Sequence, residues 1–184
     1  MITRDEALTL LKKYIHDEKL LKHSLAVEAI MKSLAKKLGE SEELWGLVGL
    51  LHDLDYEYSK ETPHLHATLS TEILEGLLPE EGLNAIRAHN YIHTQYLPVT
   101  DIDKGLLAAD AVSGLIIATA LVMPDKKLSE VTVETLYPKF RDKSFARRCD
   151  RDKIILCEDI NIDLKDFLSL SLDALKKISI ELGL

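Results

Sequence analysis

The sequence predicts an all-α fold, a compact helical bundle. Apolar residues recur with the helical period over most of the 184 positions, and start and stop signals stand where that period begins and breaks. The hydrophobic fraction of 46% and charged fraction of 29% are those of a chain that can bury a sizeable core.

Thr3 and Glu6 have capping-box spacing and open the first helix, with Ala7, Leu8, Leu10 and Leu11 as its apolar stripe. A second helix runs from about Asp17 to Leu38 and ends at Gly39. Ser41 caps a third helix that carries LWGLVGLLHD. A polar loop, DYEYSKETPH, follows. The fourth helix is expected over HATLSTEILEGLL, stopping before Pro79, and the fifth over EEGLNAIRAHN. Gly105 to Val122 is long and apolar enough to suggest a membrane span, but Asp110 and many small residues mark it as a central core helix. SEVTVETLYPKFRD fits a helix about as well as a strand, and Pro138 stands to kink it. Leu164 to Leu182 is the last amphipathic helix. Its apolar face is open to packing on its own core or on a twin, so a homodimer is one expectation.

The formal net charge of −8 argues against general nucleic-acid binding. Cys149 and Cys157 form no CxxC pattern, and no signal peptide is visible, which points to reduced thiols in the cytoplasm. No membrane association is expected.

The stretch LLHDLDY, Leu50 to Tyr56, places His52, Asp53 and Asp55 inside an apolar segment. Buried carboxylates are costly unless paired or bound to a metal. Asp110 poses the same problem. The seven histidines all lie between positions 16 and 93, and His23, His52, His66 and His89 fall on or at helices beside apolar residues. Imidazole and carboxylate suit Zn, Mn, Fe, Co and Ni, and helices can hold such ligands rigidly before the ion arrives. His52 and Asp53 point about 100° apart on a helix, so both can reach one ion, or Asp53 can bridge two. A lone helical histidine is usually a satisfied structural residue. His16 and His64 are read that way, as surface groups; Asp55 either orients a ligand histidine or is a helix-end residue facing water, with the second preferred. Trp45 reads as core, and Tyr56 and Tyr58 either line a pocket or cap a helix.

The ordered set His23, His52-Asp53 and Asp110 resembles the HD superfamily of metal-dependent phosphohydrolases, as a small stand-alone HD protein. The motif spans about half the chain. The resemblance implies a single HD-type helical domain over residues 1–184, with a metal-site core at about 17–122 and C-terminal helices, about 123–184, packed on it. It implies that His23, His52, Asp53 and Asp110 hold a first divalent transition metal, and that His66 and His89 add a second ion, as in bacterial diadenosine tetraphosphate hydrolases. The metal would be Fe, Mn, Co, Ni or Zn. The implied reaction is attack of metal-bound hydroxide on a phosphate ester or anhydride of a nucleotide-like small molecule, with Asp53 bridging. His93, a turn beyond His89, is the candidate proton donor, with His64 the other. Lys143 and Arg147, in the basic stretch KSFARRCDR, are the candidate substrate-binding cations if that segment reaches back over the site. Leu54-Asp55 replaces the Ile-Gly of the common HDIG variant, and the Gly-Tyr-Pro signature of cyclic-di-GMP phosphodiesterases is absent. A di-iron oxygenase and a non-catalytic, metal-stabilised binding protein are the alternatives.

Overall fold

A computed structural model describes all residues, 1–184. The chain is 69% helical and contains no strand, as the apolar period requires. The first helix, α1, spans Arg4–Tyr14 and opens with the reciprocal Thr3–Glu6 capping box. The second, α2, is Glu18–Leu38: the Asp17 carboxylate accepts from the Lys19 and Leu20 amides, and Gly39 closes the helix in the left-handed region at φ 76°. Arg4 of α1 donates two hydrogen bonds to the buried carboxylate of Glu28 on α2, which also takes a bond from Lys32.

The third helix, α3, is Glu42–Leu51, and all but its first two residues are buried. It crosses α2 closely because Gly49 has no side chain. A Cβ there would stand 2.9 Å from the Val27 carbonyl oxygen and 3.0 Å from the Glu28 amide nitrogen. This approach brings the end of α3, with His52 and Asp53, against the face of α2 that carries His23.

The central helix is α8, Asp101–Leu121, which starts at a Thr100–Asp103 capping box and packs on α2, α3 and the helix Glu80–His89. Its apolar length would span a membrane, but most of it is buried inside this bundle. Gly105 lets Trp45 lie on it, since a Cβ there would fall 2.8 Å from the indole ring.

Several elements differ from the sequence expectation. The loop after the doublet contains a helical turn, α4, Tyr56–Ser59. The next helix, α5, is Thr68–Leu74, so His66 lies before it rather than within it. Ala67 sits between them at φ 72°, a conformation that an L-residue adopts only at a cost of about 1–3 kcal/mol. The cause is Asp55, whose carboxylate binds both the His66 ring and the Ser70 amide and so sets where the helix can begin. Helix α6, Glu80–His89, is followed by a separate turn, α7, Tyr91–Thr94.

Beyond α8 the ambiguous segment resolves as helix. A 3₁₀ turn at Leu128–Glu130 leads into α9, Val133–Arg141, with Pro138 inside it. Helix α10, Arg151–Asp159, was not foreseen. It packs on α8, and Lys104 of α8 approaches Asp159 at 3.7 Å. The last amphipathic stretch divides at Ile178 into α11, Leu164–Lys177, and α12, Ser179–Leu182. Phe167, Leu168, Leu172 and Leu175 of α11 are buried, and the helix packs on α2. One continuous hydrophobic cluster joins residues from Ala7 to Leu182.

Candidate metal centre

Five segments of the chain deliver six side chains with donors suited to a metal, four imidazoles and two carboxylates, to one place. His23 comes from the first half of α2, His52 caps α3, and Asp53 follows it. His66 comes from the turn before α5, His89 is the last residue of α6, and Asp110 lies midway along α8. They line a cavity of about 340 Å³, apart from His52, which is wholly buried behind it.

The Nδ1 atoms decide what the rings can do. His52 Nδ1 donates to the Gly49 carbonyl at 2.8 Å, and His89 Nδ1 donates to the Ile86 carbonyl. His66 Nδ1 lies 2.8 Å from Asp55 Oδ1. The Ser113 hydroxyl donates to the Asp110 carbonyl, which leaves its oxygen to accept from His23 Nδ1 at 3.3 Å. All four rings are thus held with the proton on Nδ1, and all four Nε2 atoms are turned to the same carboxylates.

His52, His66 and His89 place Nε2 at 3.4, 3.4 and 3.3 Å from Asp53 Oδ1. His23 Nε2 is 3.6 Å from Asp53 Oδ2 and 3.2 Å from Asp110 Oδ1. His66 and His89 bring their Nε2 atoms within 3.0 Å of each other. With Nδ1 protonated and the rings neutral, these contacts set lone pairs against one another, and a cation among them, a metal ion or a proton on Nε2, is what relieves them. Metal–donor bonds of about 2.0–2.2 Å set neighbouring ligand atoms roughly 3–3.5 Å apart, which is this spacing. His52 Nε2 is buried and has no hydrogen-bond partner, as a ligand atom would be. The donors form two trios, His23–His52–Asp53 and Asp53–His66–His89, with Asp53 common to both. Within each trio the ligand atoms lie within 4.8 Å of one another. The residues therefore fit one divalent ion, or two sharing Asp53.

The electrostatics agree. Burial pushes the His52 imidazole down to about 4, which keeps it neutral and able to ligate. Burial opposes ionisation of Asp53, but His52, His89 and His23 around it outweigh that and hold it well below the usual carboxylate range. Asp110 is held down to about 2, because its bond with His23 overcomes the cost of burial. Burial likewise works against charge on His23 and His66, yet both are raised, His23 by Asp110 and Asp53, His66 by Asp55 and Asp53. The cavity attracts positive charge.

Other expectations fare differently. Asp55 does not face water: it is buried, bonded to the His66 ring, the Ser70 amide and the Ser59 hydroxyl. Its use by a helix start fifteen residues away is what draws it inside. His93 is exposed on α7 and does not line the cavity. His16 is exposed, as read, and pairs with Glu57 at 3.4 Å. His64 is exposed too. Tyr56 lines the cavity and meets the His66 ring edge-on at 5.4 Å, whereas Tyr58 turns to Tyr14.

Lys143 and Arg147 do not line the cavity. They border a separate cleft of about 420 Å³ beside the start of α10. Arg151 holds their loop in place. Its guanidinium donates to six backbone carbonyls, those of Lys139, Phe140, Asp142, Phe145, Ala146 and Cys149. The lysine that does border the cavity is Lys153, which the sequence reading passed over.

The HD domain family model matches residues 20–115, more than half of the chain. Ribonuclease Y of Protochlamydia amoebophila is 27% identical over 178 residues, which cover 93% of this chain and 33% of that protein. Ribonuclease Y of Syntrophobacter fumaroxidans is 31% identical over 176 residues, covering 90% of this chain and 32% of that protein. Ribonuclease Y of Acholeplasma laidlawii is 31% identical over 99 residues, covering 53% and 18%. The chain spans a third or less of the length of these relatives. No solved structure matches. The match runs from just before His23 to just beyond Asp110, and so includes every side chain of the candidate metal centre: the chain belongs to the HD domain family, whose members are in general metal-dependent hydrolases.

Proposed function

We propose that the chain is a metal-dependent phosphohydrolase that cleaves a phosphate ester or anhydride of a small, nucleotide-like molecule. The observation that carries this reading is the convergence of four imidazole Nε2 atoms and two carboxylates, with each Nδ1 already occupied. His23, His52, Asp53 and Asp110 would hold one ion, and Asp53, His66 and His89 a second. A divalent ion bound there supplies Lewis acidity and brings the pKa of a water from 15.7 to about 7.

The chain's own residues do the rest. The Nδ1 partners keep the rings from turning, so the ligand geometry is set before substrate enters. Asp53 and Asp110 stay ionised at neutral pH, which keeps both available as ligands, and the proton released by the attacking water leaves through the mouth of the cavity to solvent. A new oxygen–phosphorus bond forms, the bond to the leaving oxygen breaks, and that oxygen gains a proton. His93 stands outside the cavity, so in this reading the second proton comes from the solvent-facing mouth rather than from that ring. The likeness to ribonuclease Y is consistent with phosphodiester substrates, while the net charge of −8 favours a small one over a long strand.

Two measurements test this. The first is metal content by mass spectrometry on protein purified without chelator, beside a variant carrying His52→Ala and Asp53→Ala. The second is phosphate release from a panel of monoesters, diesters, nucleotides and short RNA. Near two equivalents of a transition metal, lost in the variant, together with turnover of a small phosphate, is the expected result. A metal-loaded protein inert on the whole panel would overturn the reading. Two irons with oxygen consumption would favour the oxygenase.

A further inference from the structure

Eight of the nine residues around the metal cavity lie at or within residues 20–115, the span matched by the family model; the ninth, Lys153, lies outside it. Lys153 stands in the first turn of α10 and is half-buried. It is the single lysine or arginine of the cavity wall, which Asp53 and Asp110 also line. Its ammonium forms no ion pair with either carboxylate, and no other acid or carbonyl takes it up. An ammonium carries three donors, and this one, on the wall of a cavity, has no protein acceptor.

Its position is firmly fixed. Two residues earlier Arg151 binds six backbone carbonyls and anchors the start of α10, and the Asp150 carboxylate caps the same turn by accepting from the Asp152 and Lys153 amides. From α8, Ser113 orients His23, while Gly114 gives room to Cys149 just before α10. Helix α10 is thereby seated on the helix that supplies Asp110.

We infer that Lys153 is the phosphate-binding residue of the site, contributed by the C-terminal helices to a centre otherwise built by the HD core. This rests on the phosphohydrolase reading and deepens it. The ammonium donates to a non-bridging phosphoryl oxygen of the substrate. It thereby selects anionic substrates and sets the orientation of the phosphoryl group against the carboxylate side of the site. A charge-assisted bond of this kind has the strength to change phosphate affinity about 10–100-fold.

The test measures binding of inorganic phosphate to the full chain, loaded with the metal it carries on purification, by titration calorimetry. Wild type is compared with Lys153→Gln and Lys153→Arg, and metal content is measured on each. The expected result is an affinity lower by about 10–100-fold in Lys153→Gln, within a few-fold of wild type in Lys153→Arg, and unchanged metal content in both. With any substrate found in the panel, Lys153→Gln raises KM by a similar factor and Lys153→Arg restores it. Equal phosphate affinity in wild type and Lys153→Gln overturns the inference. Loss of metal in Lys153→Gln also overturns it, because the lysine would then serve the metal centre and not the substrate. A wild type that holds metal and releases phosphate from the panel but binds no free phosphate overturns it too. The phosphohydrolase reading fails on a separate result, an inert panel with metal bound.

Discussion

Asp55 holds the His66 ring by its Nδ1 at 2.8 Å and, through its other oxygen, accepts from the Ser70 amide in the first turn of the helix that follows, at 3.0 Å. One carboxylate thus aims a ligand and starts a helix. Asp55→Asn keeps the volume but offers one acceptor oxygen where two are used. The expected outcome is a fall of about 10–100-fold in affinity for the ion that His66 would share, with the other ion retained. Metal titration followed by mass spectrometry checks this, reading about one equivalent fewer than wild type.

Gly49→Ala puts a methyl group 2.9 Å from the Val27 carbonyl oxygen, an atom of α2's backbone that cannot turn aside. The two helices must part. A loss of about 1–3 kcal/mol is expected, read from the urea midpoint. Because Gly49 also accepts from His52 Nδ1, metal affinity should fall with it. Unchanged stability would mean that the helices do not cross as described.

Arg151→Lys keeps the charge but loses the planar fork that reaches six carbonyls. The loop from Asp142 to Asp150 should loosen. Trypsin cleavage after Arg147 or Arg148, both exposed, is expected to accelerate several-fold in the variant while the core stays resistant. Equal cleavage rates would show that the loop is held by something other than this guanidinium.

Glu57 gives the fold an acid-sensitive joint. Its carboxylate accepts from the Asp17 amide at 2.6 Å and the His16 amide at 2.8 Å, and these bonds hold it below the ordinary glutamate value of 4.5. A lowered carboxylate contributes stability above its unfolded value and loses it as pH falls through the folded one. The melting temperature of wild type should therefore exceed that of Glu57→Gln at pH 7. The gap should narrow as pH drops below about 4.5 and close in stronger acid. A gap that is constant with pH would remove the charge from the explanation.

Much of this was legible in the sequence because it is local. Thr3, Asp17 and Ser41 cap the helices they precede, Gly39 ends one, and the ligand histidines sit in apolar helical contexts. What was not legible depends on partners far along the chain or without side-chain identity. Asp55 looks like a helix-end acid until the amides of α5 are brought to it. Arg151 spends its charge on main-chain carbonyls, which leave no mark in the sequence, so α10 and the cavity lysine it carries were hidden in a stretch that reads as solvated surface. His66 was placed inside a helix because nothing in HATLSTEIL announces that Ala67 turns left-handed.

The donors that meet at Asp53 are drawn from segments spread between His23 and Asp110, with helices α2, α3, α5, α6 and α8 between or around them. An ion seated there works as a clasp that ties remote stretches of chain together. The unfolded polymer cannot assemble such a grip, so each ion favours the folded form by an amount that grows with the logarithm of free metal. The protein's resistance to heat becomes a reading of the metal supply around it, and starvation for that metal would reach the molecule first as fragility.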